Sequence, residues 1–156
     1  MIAAIAKGGE VKLVDDITLT EPLKITNEVT VYLNGKTLEN TTIADNTCNV
    51  FRVNTGGVLT IKGEGNVEVN AESGYADVVR VLGGELNIYG GNFSHTAKPN
   101  EGADLIYVNT GTVNVYGGSF FKFDPAKNSC EGQNTDFVAT GYKSSRSDDT
   151  FTVEAE

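Results

Sequence analysis

Asp77 and Asp104 stand 27 residues apart, and each comes three positions before a larger side chain, Arg80 and Tyr107 respectively. Arg52 lies 28 positions before Arg80. If the chain brings equivalent positions together, Arg52, Arg80 and Tyr107 form one outward column with carboxylates at its flank. Acid and base on one face are the raw material for proton abstraction, and carboxylates gathered around a metal ion would assist it. Each carboxylate is single, however, and neither belongs to an Asp-x-Asp set. The more ordinary reading of the same residues is a solvent-facing ladder of alternating charge that avoids like-charge contact.

Lys62, Tyr89 and Tyr116 repeat at the same 27-residue interval. Stacked aromatic side chains bind sugar rings. They also stack on one another to stabilise a sheet, and a lysine can cover a tyrosine ring. The column is a candidate glycan-facing or subunit-facing ladder, with a purely structural ladder the more ordinary reading. His95, in "NFSHTAKPNEG", reads as a surface-loop histidine. A lone histidine makes no metal site, and Ser94 with Asp104 makes no triad without a defined geometry. "NTT" at 40–42 and "NFS" at 92–94 fit the glycosylation sequon, which matters only in a chain secreted by a eukaryote.

Four polar stretches, 40–49, 70–77, 94–104 and 121–136, interrupt the pattern at equivalent points and should gather along one edge. Segments inserted on one side of a stacked architecture commonly form its contact surface. The last carries Phe121, Phe123 and Pro125. Two phenylalanines in a polar insertion are candidate partner contacts; the alternative is that they cover the third strand of the final coil.

The intervals imply elements that recur. Gly57, Gly84 and Gly111 are spaced 27 apart, and after them run "VLTIKGEGNV", "ELNIYGGNF" and "TVNVYGGSF". Before them run "VFRVN", "VVRVL" and "LIYVN", and "EVTVYLNGKTL" at 28–38 is an earlier, looser copy. Within each unit the period is two: Leu59 and Ile61, Leu86 and Ile88, Val113 and Val115 point one way, and Thr60, Asn87 and Asn114 the other. Phe51 and Val53, Val79 and Val81, Ile106 and Val108 make a second strand, and Val67, Phe93 and Phe120 mark a third. Repeats of this length are stacked units that need their neighbours to bury an apolar face.

Short strands with a fixed advance predict an all-β, single-domain parallel β-helix, with each coil about 4.8 Å above the last. Parallel crossovers are nearly always right-handed, so a right-handed coil is expected. The expected organisation is about four to five coils over 9–136. A short N-terminal helical cap over 1–8 would turn Ile2 and Ile5 toward the stack, and a hairpin cap over 137–156 would join "FVATGYK" to "TFTVEA".

Composition bounds the function. Eighteen glycines and one methionine in 156 residues suit strands and turns. The net charge of −9 argues against a nucleic-acid backbone as partner. No run approaches the length of a membrane span, and "MIAAIAKGGE" lacks the basic and apolar regions of a secretory signal. Cys48 and Cys130 form no metal-binding pattern and are expected as free thiols of a reducing compartment, with a disulfide as the alternative. The fold needs no cofactor.

"AIAKGGEVKLVDDITLTEPLKITNEVTVYLNGKTL", the "GG-LTI-G" and "VYGGSF" rungs and the closing "FVATGYK…TFTV" resemble a recurrent β-helix family encoded in phage genomes. The coil architecture is similar to the pectate-lyase-like superfamily. The resemblance covers nearly the whole chain and implies a non-enzymatic structural protein of the virion, made in the host cytoplasm. It would be a capsid decoration, head-fibre or tail protein, assembled as a homotrimer on the major capsid protein or another virion protein. The superfamily also implies an alternative, a carbohydrate-binding or polysaccharide-lyase-like module acting on host surface glycans. With few coils, the chain is short for a lyase cleft.

Overall fold

A computed structural model describes residues 1–43, 47–71, 75–95, 104–128 and 135–156. It is all-β, 59% strand and 4% helix, and forms a β-solenoid of about three turns. The chain opens with α1 (Ile2–Lys7), β1 (Gly9–Lys12) and β2 (Ile17–Leu19). One turn follows as β3 (Leu23–Ile25), β4 (Glu28–Tyr32) and β5 (Lys36–Asn40), and β6 (Thr47–Cys48) leads into the next. That turn holds β7 (Phe51–Asn54), β8 (Val58–Lys62) and β9 (Gly65–Val69), with β10 (Tyr75–Ala76) after it. Then come β11 (Val79–Ile88), β12 (Asn92–His95), β13 (Ile106–Val115) and β14 (Gly118–Phe121), and last β15 (Tyr142–Ser147) and β16 (Thr150–Ala155).

Parallel pairing places each turn on its predecessor. On the first face Leu23, Phe51, Val79 and Ile106 are in register. On the second, Val29, Leu59, Leu86 and Val113 are in register, as are Val31, Ile61, Ile88 and Val115. On the third, Leu38, Val67, Phe93 and Phe120 follow one another. All of these side chains are buried apart from the partly buried Val113. Alternation along each strand therefore builds continuous inner columns, and Phe93 and Phe120 stack with ring centres 5.1 Å apart.

The turn count is lower than the four to five expected from sequence. Four segments stacked on the first face are joined by only three windings, and β1 and β2 add a lead-in that has no first-face strand. The corner between first and second faces also differs from expectation. β7 and β8 are separate, but β11 and β13 each run through the corner as one strand, so both faces belong to one sheet. The later corners are one residue shorter, and the register slips there, with Leu82 and Gly83 both opposite Asn54. The corner is tight enough to demand glycine: a Cβ on Gly84 would lie 2.5 Å from the Gly57 carbonyl oxygen.

At the start, α1 turns Ile5 into the core, but Ile2 is 50% exposed, against the expectation that both face the stack. At the end, the hairpin is β15 and β16, and β16 pairs antiparallel with β14. It begins at Tyr142, later than the expected boundary at 137. Asp148 takes a left-handed conformation (φ 54°), which fixes a tight turn and draws "SSRS" into the strand. Residues 137–139 instead continue the second face, where Val138 bridges Val115 in parallel.

Candidate functional site

Alternation that buries one set of side chains presents the other set as outward columns at the rung spacing. On the first face Lys24, Arg52, Arg80 and Tyr107 are in register, as the spacing implied. The Arg80 guanidinium lies 3.6 Å from the Asp77 carboxylate and covers the Tyr107 ring at 4.5 Å. Arg52 donates to the Asn49 side-chain oxygen (Nε, 2.9 Å) and to Thr47 Oγ1 (2.7 Å). Like charges therefore neighbour each other in this column, contrary to the alternating ladder expected.

Asp77 is not solvent-facing either. Its side chain is 3% exposed at the corner between third and first faces. Burial pushes its carboxyl up to about 6, opposed by the Arg80 charge, the Asp104 backbone N–H and the Asn49 side chain, which all favour the ionised form. Burial raises Asp104 in the same direction. A carboxylate sealed beneath Arg80 holds the corner but cannot touch a polymer lying on the face. Asn49 also donates to the Asp77 carbonyl (3.1 Å), so Thr47, Asn49, Arg52, Asp77 and Arg80 form one connected polar layer. Thr47 and Asn49, hidden in a polar stretch, were not legible as parts of it.

The second-face column is longer than its three sequence-marked members. Lys12, Tyr32 and Lys62 are in register, and backbone bonds from Tyr89 to Ile61 and from Tyr116 to Ile88 place the two tyrosines above Lys62. The Lys62 ammonium sits between the Tyr32 and Tyr89 rings, 5.9 and 5.3 Å from their centres. Tyr89 and Tyr116 stack at 4.4 Å with 7° between planes, and Tyr142 meets Tyr116 edge-on at 5.5 Å. Desolvation in this stack pushes the Tyr116 phenol above its ordinary value. Both faces of Tyr89 are thereby occupied. A sugar stacks on a ring face, and this column offers outward its ring edges and hydroxyls, with Tyr89 49% exposed.

Amide ladders run beside it. Asn114 donates to the Asn87 side chain at 3.0 Å, and Asn87 to Glu85 at 2.8 Å. On the third face Asn92 donates to Asn66 and Asn66 to Thr37 Oγ1, each at 3.1 Å. The next column on that face stacks Thr18, Glu39, Glu68 and Ser94.

Of the three residues expected at a partner contact, Phe123 (7% exposed) and Pro125 are buried within the protein itself. Phe123 packs on Phe120 at 6.4 Å, and the Pro125 carbonyl accepts the Phe137 N–H at 2.8 Å, so this segment closes over the last rung. Phe121 stays at the surface, 38% exposed, with the Lys122 ammonium 5.1 Å from its ring centre. His95 lies in β12 opposite Val69 and not in a loop. β6 and β10 pair in parallel, so two of the expected edge stretches stack as well. Cys48 is a buried free thiol, pushed up to about 11 by that burial, which makes it a poor nucleophile. Cys130 and the stretches 44–46, 72–74, 96–103 and 129–134 lie outside the described residues.

Among the described residues no three His, Cys, Asp or Glu side chains converge as metal ligands. A hollow of about 240 Å³ lies between α1 and β3, lined by Ile2, Ile5, Ala6, Pro22 and Leu23 among others. A shallow trough of about 290 Å³ follows the glycine corner past Gly57, Gly84, Gly111 and Glu85. The first also has Glu21 and Lys24 on its lining, and the second has Glu85 with no basic group beside it on the lining. No protein-family model, curated protein or solved structure matches the chain.

Proposed function

We propose that the chain is a non-enzymatic structural protein of a bacteriophage virion, a capsid decoration or head-fibre subunit that stands on the capsid exterior as a homotrimer. In this reading the solenoid winds right-handed, as parallel crossovers almost always do. Helix α1 closes the N-terminal end, and at the other the antiparallel hairpin pairs the edge of β14. The observation that carries a structural role is the engagement of the outward side chains with one another. Tyr89 stacks on Tyr116, Asn114 bonds Asn87, Asn92 bonds Asn66, and Arg80 is tied to a sealed Asp77. Such columns stiffen a stack, and their outward groups are occupied with one another.

The virion assignment rests on the resemblance of "GGEVKLVDDITLTEPL", "LNGKTL" and "VYGGSF" to phage β-helix proteins. The mechanism is mechanical: paired strands resist proteolysis, and the edge carrying the β6–β10 pair is turned to the capsid or to neighbouring subunits. The test combines the mass of the purified protein in solution with an immunoblot of purified particles. A trimer present in particles supports the reading; a single chain absent from particles overturns it. The alternative, a glycan-binding or lyase-like module, draws on the outward ring edges and hydroxyls of the column that holds Lys62, Tyr89 and Tyr116. Binding or cleavage of a host surface glycan, lost in Tyr89→Ala, would establish it instead.

A further inference from the structure

The protein carries nine more acidic than basic groups, yet one outward column is cationic. Lys24 and Arg52 occupy adjacent rungs, about 4.8 Å apart, and among the described residues neither makes an ion pair. On the third face Glu39 and Glu68 also occupy adjacent rungs. Like charges directly opposite one another in a sheet are unfavourable. Hydrogen bonds to Glu39 from Thr18 (3.5 Å) and Asn70 (3.2 Å), and from Arg52 to Asn49 and Thr47, ease these repulsions, but none of those partners carries an opposite charge.

The two columns match rung by rung. The turn from β3 to β5 supplies Lys24 to the first face and Glu39 to the third. The next supplies Arg52 and Glu68. The turn after that supplies Arg80, whose charge is already met by Asp77, and on the third face the neutral Ser94. The last supplies Tyr107 and the exposed Phe121. A cation therefore shares its level with a carboxylate, a neutralised arginine with a serine, and an aromatic ring with an aromatic ring.

We infer that the first face of one copy docks on the third face of a second copy, side by side and parallel. Lys24 then meets the partner copy's Glu39, Arg52 meets its Glu68, and Tyr107 meets its Phe121. The occupant is a second copy because the rung spacing of both columns is then identical by construction, and charges at one level stay in register with those at the next. Two of Arg52's donors are fixed by Asn49 and Thr47, which holds the guanidinium in place for an incoming carboxylate. Contact between two different faces is heterologous, so it propagates around an axis and closes as a ring where the rotation between copies divides the circle evenly. The inference deepens the reading of the protein as an assembling structural subunit by naming the surfaces that meet.

The test is the mass in solution of the full chain and of charge variants, by light scattering or sedimentation. The parent is expected to assemble, and raising salt from about 0.05 to about 0.5 M should weaken association about tenfold, because exposed charge pairs are screened. Glu39→Lys with Glu68→Lys should give single chains, as should Lys24→Glu with Arg52→Glu. The fourfold exchange, which swaps both columns, should restore assembly. If Arg52→Glu disturbs folding, seen by circular dichroism, the single exchange of Lys24→Glu with Glu39→Lys serves the same purpose. A parent that remains a single chain at low salt overturns the docking, and so do variants that assemble as the parent does. A chain found in particles and assembling without regard to these charges would sink this interface alone and leave the structural reading standing.

Discussion

At the scale of the residue, two positions show what the stack demands. Gly84 sits where a Cβ would press on the Gly57 carbonyl oxygen at 2.5 Å and on a Val53 methyl group at 2.6 Å. Backbone cannot yield as a flexible side chain would, so Gly84→Ala should cost about 1–3 kcal/mol as an overpacked contact, measured by urea unfolding. Stability equal to the parent would mean the corner is looser than described. Asp77 poses the opposite problem, a sealed charge. Its carboxyl is raised to about 6 in the folded protein, from 3.8. Between those values the folded state binds more protons than the unfolded one. The contribution of Asp77 to stability is therefore full at low pH and is lost as pH rises through about 6, up to about 3 kcal/mol in all. Asp104 pushes the same way. Unfolding of the parent and of Asp77→Asn from pH 4 to 7 checks this: the variant should lose less stability across the window, and parallel curves would refute the assignment.

At the scale of the element, the inner columns were legible because burial on one face forces a two-residue period, and stacking forces equal spacing. Leu59 and Leu86 are buried neighbours, as their spacing required. Leu86→Ala or Ile88→Ala should cost about 2–5 kcal/mol, and unchanged melting would place those side chains outside the core. What the sequence left hidden came from contacts that spacing does not encode. Tyr32 and Tyr142 extend the tyrosine column, but Tyr32 belongs to the looser early repeat and Tyr142 arrives through the antiparallel hairpin. For Phe123 and Pro125 the sequence left open a partner contact or cover for the third strand of the final coil, because the segment around them is polar; both are buried and Phe123 packs on Phe120, as in the second reading. Asp77 read as surface charge because a lone acid before a strand gives no hint of the corner that closes over it. The hairpin itself covers β14, so removing residues 142–156 should expose that strand's edge and Phe120. Aggregation of the shortened chain, followed by light scattering, is the expected result; a soluble, cooperatively melting product would show that the last rung needs no cover.

At the scale of the whole molecule, each rung meets only the rungs above and below it, so stability is nearly a sum of nearest-neighbour terms along one axis. The central strands β7, β8 and β11 have parallel partners on both sides, whereas β1, β2 and β15 each have one. An interior strand opens only if the stack divides, while an end strand peels at the loss of a single interface. Hydrogen exchange should therefore be slowest for amides of Phe51–Asn54, Val58–Lys62 and Val79–Ile88, and should quicken toward Gly9–Lys12 and Tyr142–Ser147. The gradient also bears on assembly. If copies dock side by side through the first and third faces, they add contacts along the length of the stack and not at its ends. Side chains of Lys24, Arg52, Glu39 and Glu68 would lose solvent on assembly while end-strand amides kept their rates. A protein whose end strands exchange as slowly as its centre would instead be joined end to end, and the charged columns would then have another purpose.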